Sequence, residues 1–592
     1  MFDFEKLLFY DVEVFKFQSC VVFKNYEGET VKIFTDNIDG LGEYFDTGVL
    51  THQGYRGLDK FIEGQTLVGY NNYHYDDFIL YAMTDEKLYP FIKDWNDSII
   101  NGTSGVGMKK INTCTTVDVF QQIDISFPSL KKIEGNMGKS IVESSVDFNI
   151  DRKLTPSENL ENIKYCEYDV KQTVEIFKLR QEYFETKERI IDMIEDEHLK
   201  TIAHKWNTTS IVGQILKPEK PVKKSSRFVP DEMLEEVPLD VKNMWLELDH
   251  TVDYKFKVKK KVIREFGNNV EFGWGGLHGA PDGVFEARNV KLIDVTSMYP
   301  SILINFEGLG DKTERYQQIK ADRVKIKESG ENEGLNKAYK LILNSTYGLL
   351  NNQYSNLHNP KLAYSICIYG QISLYSLARR LAESGCEIFN INTDGVAFVP
   401  DVSGNYTKII DSWEQDYNLK LEEDSFDYWI QKDVNNYIAV TEDGYILTKG
   451  GDVNSYYDFE SGGRNYYFNN SNTRIVQKAI VDKIVHDIPI KDTIVNNRDK
   501  PILYQYILQA GKTYIGTYDN KGNRLQNVNR VFAGKNTGYE IYKKRLDGGM
   551  VKYPDAPDNM IVYNGNLEEF DETLDLQWYY DLSQKVYERW RV

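Results

Sequence analysis

Along "KLLFYDVEVFKF" and "CVVFKNYEGETVKIF", within residues 5 to 35, apolar and polar positions alternate around turn residues, the period of strands with one buried face. The two segments predict a hairpin that opens a sheet. Strand and helical patterns then mix from 55 to 200 and close with "NLENIKYCEYDVKQTVEIFKLRQEYFETKERIIDMI". Its apolar residues recur every three or four positions, as on one face of a long helix. Periodicity fades from about 201 to 265, where "LKPEKPVKKSSRFVP" has the composition of a linker and places a boundary. After "FGWGGLHGA" come a strand, "NVKLIDVTSMY", and two helical stretches, "TERYQQIKADRVKIKES" and "LNKAYKLILNSTYGLL", parted by "GENEG" into a helical hairpin. Residues 361 to 385 read as helix, and "CEIFNINTDGVAFVP" as a hairpin with Asp394 at its apex. Between 430 and 592, strands such as "NNYIAV" and "GYILTKG" alternate with helices such as "NTRIVQKAIVDKIVH" and "DLQWYYDLSQKVYERW". The expected fold class is multidomain α/β and α+β.

At 592 residues the chain exceeds what one hydrophobic core organises, which predicts about three to five domains or subdomains. Hydrophobic residues at 41% and aromatics at 13% belong to a globular protein and exclude a disordered one. The segment "MFDFEKLLFYDVEVF" is acidic where a secretory leader is basic, and no apolar run reaches bilayer-spanning length. A soluble cytoplasmic protein with no membrane partner is expected. Cys20, Cys114, Cys166, Cys367 and Cys386 are widely spaced and lack C-x-x-C, which predicts neither a disulfide framework nor a zinc site and fits a reducing compartment. The formal charge of -19 repels a polyanion on average, so any contact with nucleic acid has to be local.

Asp11 and Glu13 of "YDVEVF" stand two apart on a strand and project from one face, where two like charges need a positive partner such as a bound cation. Taken alone, the pair reads as an edge strand with a solvated face. "NNYHYDDF" places Asp76 after Asn72 and Tyr75, and "YCEYDV" sets Tyr165 one helical turn before Asp169. Asp11, Glu13, Asp76 and Asp169 are thus candidates to converge on two divalent metals, with Tyr165 orienting a water for phosphodiester hydrolysis. Further on, "DVTSMYPSI" puts Asp294 at the end of an apolar strand, before a turn that offers backbone N–H groups, Ser297 and Tyr299 to a metal, a triphosphate and a sugar. "KLILNSTYG" carries Lys340, Asn344 and Tyr347 on one helix face, suited to a triphosphate and a stacked base pair or, alone, to a buried helix with a snorkelling lysine. Residues 311 to 327 hold six Lys/Arg against three acids, a net of +3. That makes Arg315 and Arg323 candidates to receive phosphates, the alternative being a solvated charged face.

In order, D-x-E, N-x-x-[FY]-D and Y-x-x-x-D resemble the three motifs of proofreading 3′→5′ exonucleases, in the branch with Tyr in the third. "PSLKKI", with Ser129 and Leu130, resembles the S/T-L-x-x-h element by which such domains hold a single-stranded primer end. "DVTSMYPSI", "KLILNSTYG" and "NTDG" resemble motifs A, B and C of family B DNA polymerases, so that the likeness runs from residue 8 to about 400. The resemblance implies an RNase H-like exonuclease domain at 1–200 and a connecting segment at 201–270. A right-hand polymerase would follow: palm at 271–310 and 356–430, fingers at 311–355, and a thumb with the C-terminal region at 431–592. It implies two Mg²⁺ or Mn²⁺ ions per active site, held by Asp294 and Asp394 in one and by Asp11, Glu13, Asp76 and Asp169 in the other. Tyr299 would exclude a ribose 2′-OH, and Ser297, Lys340, Asn344, Tyr347, Arg315 and Arg323 would meet the nucleotide. DNA contacts are implied at Asn72, Tyr75, Ser129 and Leu130. Gly275 and Gly276 join them through "GWGGLHGA", similar to a Y-x-G-G template element with Gly273 at the Tyr position. So does Tyr437 through "VNNYIAV", similar to a K-K-x-Y thumb motif with Asn435 at a Lys position.

The family pattern has Asp, Ser and Leu where this chain has Asn392, Gly395 and Met298. A unit charge about 5 Å from another, at an effective dielectric of about 20, is worth about 3 kcal/mol before screening. Weaker metal binding is therefore expected, not loss of catalysis. Asp11 lies close to residue 1, and the extra N-terminal domain of large family B enzymes is not expected. Tyr299 and Lys340 are 41 residues apart, Gly348 and Asn392 44, too few for the two insertions of protein-primed phage polymerases. The expectation is a compact, phage-like, monomeric DNA polymerase of the host bacterial cytoplasm. It would extend a primer on template DNA with dNTPs, proofread its product, and work with phage replication accessory proteins. The rival expectations are an exonuclease whose polymerase half has decayed and a noncatalytic replication scaffold that binds primed DNA.

Overall fold

The structure is a computed structural model, and it describes residues 6–103, 108–120, 128–220, 222, 231–247, 260–273, 275–402, 405–453, 467–468, 473–511, 513–554 and 556–591. Its first unit is a five-stranded sheet of order β3-β2-β1-β4-β5, made of β1 (Leu7–Val14), β2 (Ser19–Lys24), β3 (Thr30–Thr35), β4 (Thr66–Gly69) and β5 (Thr115–Asp118). The segment "CVVFKNYEGETVKIF", expected as one strand, is two: the chain reverses between Asn25 and Glu29, and β2 and β3 pair antiparallel. Alternation along β1 feeds two cores. Leu7 and Phe9 pack with Ile163, Val170 and Phe177 of the helix Pro156–Asp192, while Tyr10, Val12 and Val14 pack with Ile79 and Leu80 of the helix Asp76–Thr84. The long helix starts at a capping box, Thr155 with Glu158, and Pro156 at its first position lacks only an N–H that the helix would not have used.

A nine-stranded sheet forms the centre, in the order β14-β13-β12-β9-β11-β10-β8-β7-β6. Its strands are β6 (Lys261–Glu265), β7 (Asn268–Phe272), β8 (His278–Ala280), β9 (Phe285–Val295), β10 (Glu387–Asn392), β11 (Gly395–Val399), β12 (Leu421–Asp433), β13 (Asn436–Val440) and β14 (Ile446–Lys449). The sheet therefore begins before the boundary expected at 271 and continues past that expected at 430, because hairpins at both ends add strands to its edges. Ile293 and Val295 of β9 enter the large core shared with the helices Met298–Asn305 and Pro360–Glu383. Val290, Phe389, Ala397 and Trp429 form a smaller cluster, with Leu292 and Tyr437 packed against it. Asp294 shares the face of Leu292.

The expected helical hairpin is present as Thr313–Ser329 and Glu333–Asn351, turned at Gly330, which adopts φ 69. Arg315 bonds Glu195 at 2.6 Å and the Met193 carbonyl at 2.8 Å, and Lys337 pairs with Glu182, so the hairpin leans on the end of the long helix. The C-terminal region holds two three-stranded sheets, β15-β17-β20 and β16-β18-β19, built from β15 (Tyr506–Gln509), β16 (Tyr514–Asp519), β17 (Val528–Ala533), β18 (Ile541–Arg545), β19 (Met550–Lys552) and β20 (Met560–Val562). The helices Arg474–His486 and Leu576–Tyr587 accompany them. No helix among the described residues is long and apolar enough to cross a membrane, and all five cysteines are buried and unbridged.

Candidate active sites

In the first unit, β1 points Asp11 and Glu13 toward the long helix, which presents Asp169; carboxylate oxygens of the three lie within 4.8 Å of one another. Tyr165 donates to Asp169, and Cys166 sits 3.6 Å from the Asp11 carboxylate. Asp76 is buried, and its Oδ1 has no hydrogen-bond partner. Its neighbour Asp77 is instead saturated by Tyr10, Asn72 and Thr116, so of these adjacent aspartates only Asp76 keeps an oxygen for a ligand. Hard oxygen donors with one orphaned buried oxygen suit Mg²⁺ or Mn²⁺.

Like charges out of water raise one another's pKa. Burial, then Asp169, pushes Asp11 up to about 7, with Lys131 pulling the other way. Burial raises Glu13 and Asp76 as well, each with Asp11 as the next cause. Lys131 went unnoticed in the sequence. The helix Leu130–Asn136, capped by Ser129, turns its ammonium inward onto Asp169, 3.3 Å from Glu134 and 4.8 Å from the Tyr165 ring centroid. A lysine in "SLKKI" carries no local mark of facing in or out; only the cap fixes the helix rotation. Asp118 was likewise missed, and it holds the loop before Asp76 by accepting the N–H groups of Asn71 and Tyr73.

The expected DNA contacts divide. Tyr75 lines the cleft of about 770 Å³ above the carboxylates, and Ser129 reaches Gln509 of the C-terminal region at 3.4 Å. Leu130 is half-buried and packs on the core of the first unit. Asn72 corrects the expectation: it is 0% exposed and donates to Asp77, because the backbone turn that lifts Asp76 puts its amide in the core. Phe148, Asn149 and Tyr165 line both this cleft and a groove of about 2100 Å³ toward the C-terminal region. Lys131, Lys132, Arg524, Lys543, Lys585 and Arg589 line that groove with Glu143, Asp147 and Asp452, Lys131 being turned onto Asp169 and Arg589 paired with Asp452 at 3.0 Å.

In the central sheet, Asp294 of β9 pairs in register with Gly395 of β11, and the Val295 N–H donates to the Asp394 carbonyl at 2.7 Å. A Cβ at Gly395 would overlap the Asp294 carboxylate oxygen, so glycine here gives that side chain its room. Gly276 packs its Cα against Thr393, where a Cβ would come within 2.5 Å of backbone, so it supports the Asp394 turn; Gly275 beside it has φ 115. Burial, then Asp394, Asp424 and Glu422, raises Asp294 to about 6, and burial raises Asp394. Lys449, missed in "GYILTKG", is the cation that acts on both. Tyr437 stacks on Trp429 at 4.4 Å, and burial and the two aspartates push its hydroxyl up to about 12. The pair suits a divalent cation by the same oxygen chemistry.

Asn392 turns away from that pair and donates to the Val434 carbonyl at 3.2 Å and Asn435 Oδ1 at 3.3 Å. Ser297, at φ 50, starts the helix Met298–Asn305 and accepts from Arg323 at 3.2 Å, beside Lys320 on Ser301 at 2.6 Å. Arg315 donates to Glu195 at 2.6 Å and to the Met193 carbonyl at 2.8 Å, away from Ser297 and Arg323. Lys340 and Asn344 are exposed and Tyr347 half-exposed along one helix face, and Tyr347 packs on Tyr299 with ring centroids 4.6 Å apart.

The raised carboxyl pKa values have a consequence. Asp11 at about 7 and Asp294 at about 6 lie above their ordinary value of 3.8, so their contribution to stability is full below about pH 4 and lost as pH rises through 6 to 7. A cation that binds the ionised groups restores it. The rise in melting temperature on adding Mg²⁺ is expected to be small at pH 5.5 and to grow through pH 8; an equal rise at both, by differential scanning fluorimetry, would refute this siting.

No family model matches the chain. "DNA polymerase 1" of Saccharolobus solfataricus is 22% identical to it over a match covering 36% of this chain, and the match spans only 30% of that relative's length. Among solved structures, the family B DNA polymerase from the hyperthermophilic archaeon Pyrobaculum calidifontis aligns with 99% of this chain and 77% of its own, at 12% identity and a TM-score of 0.41. The sequence likeness of this chain is thus to a DNA polymerase.

Proposed function

We propose that the protein is a template-directed DNA polymerase with a 3′→5′ proofreading exonuclease. The observation that carries the reading is the presence of two carboxylate sites on separate sheets, one around Asp294 and Asp394 and one around Asp11, Glu13, Asp76 and Asp169. Each would hold Mg²⁺ or Mn²⁺, which when bound makes the attacking oxygen more acidic and neutralises charge on the leaving one. Arg323, Lys320 and the N-terminus of the helix Met298–Asn305 receive the triphosphate beside Asp294. Lys340 and Asn344 present the exposed face of the second fingers helix to the nucleotide, and the Tyr299 ring closes the space at its 2′ carbon. At the other site Tyr165 orients a water, and the groove lined by Lys543 and Lys585 guides a melted primer end.

A gel assay of a 5′-labelled primer on a longer template, with Mg²⁺, tests the reading. Extension with dNTPs and shortening without them are expected; shortening under both conditions would leave an exonuclease alone, and no turnover a scaffold. Asn392→Asp refines the account. A carboxylate there faces two acceptors, so metal-free stability is expected to fall by about 1–3 kcal/mol. The added charge is expected to lower the Mg²⁺ concentration that half-saturates extension. An unchanged Mg²⁺ titration would show that this position does not act on the metal site.

A further inference from the structure

Cys367 lies in the middle of the helix Pro360–Glu383, 1% exposed, and three otherwise separate segments meet at its sulfur. The Tyr347 hydroxyl is 2.7 Å from Sγ, the Tyr299 hydroxyl is hydrogen-bonded to it, and the Gly275 N–H donates to it. The two rings lie against each other at an interplanar angle of 39°. Each tyrosine is therefore held at both ends, by its Cα on one helix and by its hydroxyl on another.

We propose that Cys367 is a positioning residue for sugar discrimination: its sulfur pins the Tyr299 and Tyr347 hydroxyls, and so fixes the ring that stands against the 2′ carbon of an incoming nucleotide. The inference rests on the polymerase reading. A ring excludes an added hydroxyl only as far as it is held in place, because a shift of about 1 Å opens the space a 2′-OH needs. With the sulfur gone, two half-buried phenols lose their common partner and turn toward other acceptors or water, and the rings follow. The bond to Gly275 extends the hold to the glycine loop, whose Gly273 is clamped from the same helix by Gln371 at 2.8 and 3.1 Å. One helix face thus sets both the sugar side of the nucleotide site and the backbone that supports the Asp394 turn through Gly276.

Single-nucleotide incorporation on a primed template, with dATP and with ATP, tests this in the wild type, Cys367→Ala and Cys367→Ser. The ribonucleotide-to-deoxyribonucleotide ratio of kcat/KM is expected to rise about tenfold in Cys367→Ala and to return to within about threefold in Cys367→Ser, whose oxygen replaces the sulfur as partner. Tyr347→Phe keeps the thiol and deletes one hydroxyl, and is expected to raise the ratio as well, which guards against misfolding of the alanine variant. A ratio unchanged in both variants, or an equal fall with both nucleotides, overturns the proposal and leaves Cys367 a packing residue. A wild type that extends with neither nucleotide overturns the polymerase reading itself, and this inference falls with it.

Discussion

Asp394→Ala is expected to lower primer extension by about 10³-fold or more while 3′→5′ shortening continues at the wild-type rate. Asp394 and Asp294 meet at the end of the central sheet, where the turn between β10 and β11 is tied to β9 by a backbone bond, so removing one carboxylate takes half of the charge that would hold a cation. Glu422 stands opposite Asp294 in register on β12 and pairs with Lys327 at 3.0 Å, so the carboxylate next in reach of Asp294 is already part of an ion pair. Asp11, Glu13 and Asp169 belong to the first unit, with its own sheet and core, and among the described residues no hydrogen bond or ion pair joins them to this pair. Effects at the two sites should therefore be independent. The reciprocal change, Asp169→Ala, is expected to stop shortening and spare extension. Loss of both activities in either variant, with folding intact by circular dichroism, would mean a single shared site.

Arg530→Met is expected to destabilise the C-terminal region by about 3–5 kcal/mol, a large effect for one side chain. Arg530 is 0% exposed and donates to Gln505 at 2.8 Å, to the Gly565 carbonyl at 2.6 Å and to the carbonyls of Gly135 and Lys139 at 3.1 and 2.7 Å. It thereby ties the C-terminal sheets to the end of the helix that carries Lys131, and Glu143 adds bonds to the N–H groups of Asn527 and Val528. Methionine fills much of the volume but leaves those buried acceptors unpaired. Urea unfolding followed by tryptophan fluorescence, with Trp578 and Trp590 in the affected region, measures the change. Lys16→Met removes an exposed single-contact pair with Asp151 and serves as a control expected to shift nothing measurable. A loss under about 1 kcal/mol in Arg530→Met would show that the junction rests on apolar packing.

The two sites were legible in the sequence to different depths. Asp11 and Glu13 stand on one strand face, and Tyr165 and Asp169 one turn apart on a helix, because strand and helix periods are local properties of the backbone; Asp294 at a strand end and Asp394 at a hairpin apex follow from the same rule. Composition likewise predicted a folded chain. What only the tertiary structure decided is which polar groups face inward. Asn72 and Asp76 belong to one short motif, yet the amide is 0% exposed and donates to Asp77 while the carboxylate lines the cleft with Asp11 and Glu13. Arg315 and Arg323 lie two helical turns apart, yet the first is taken by Glu195 and the second meets Ser297. Lys449, Arg530 and Cys367 carry no signal within a window of neighbours, since each acts on segments tens to hundreds of residues away, and Lys131 pairs locally with Glu134 but reaches Asp169 only through the packing of two helices. Periodicity sets the face a side chain occupies; the partner waiting across that face is set by how the sheets and helices pack.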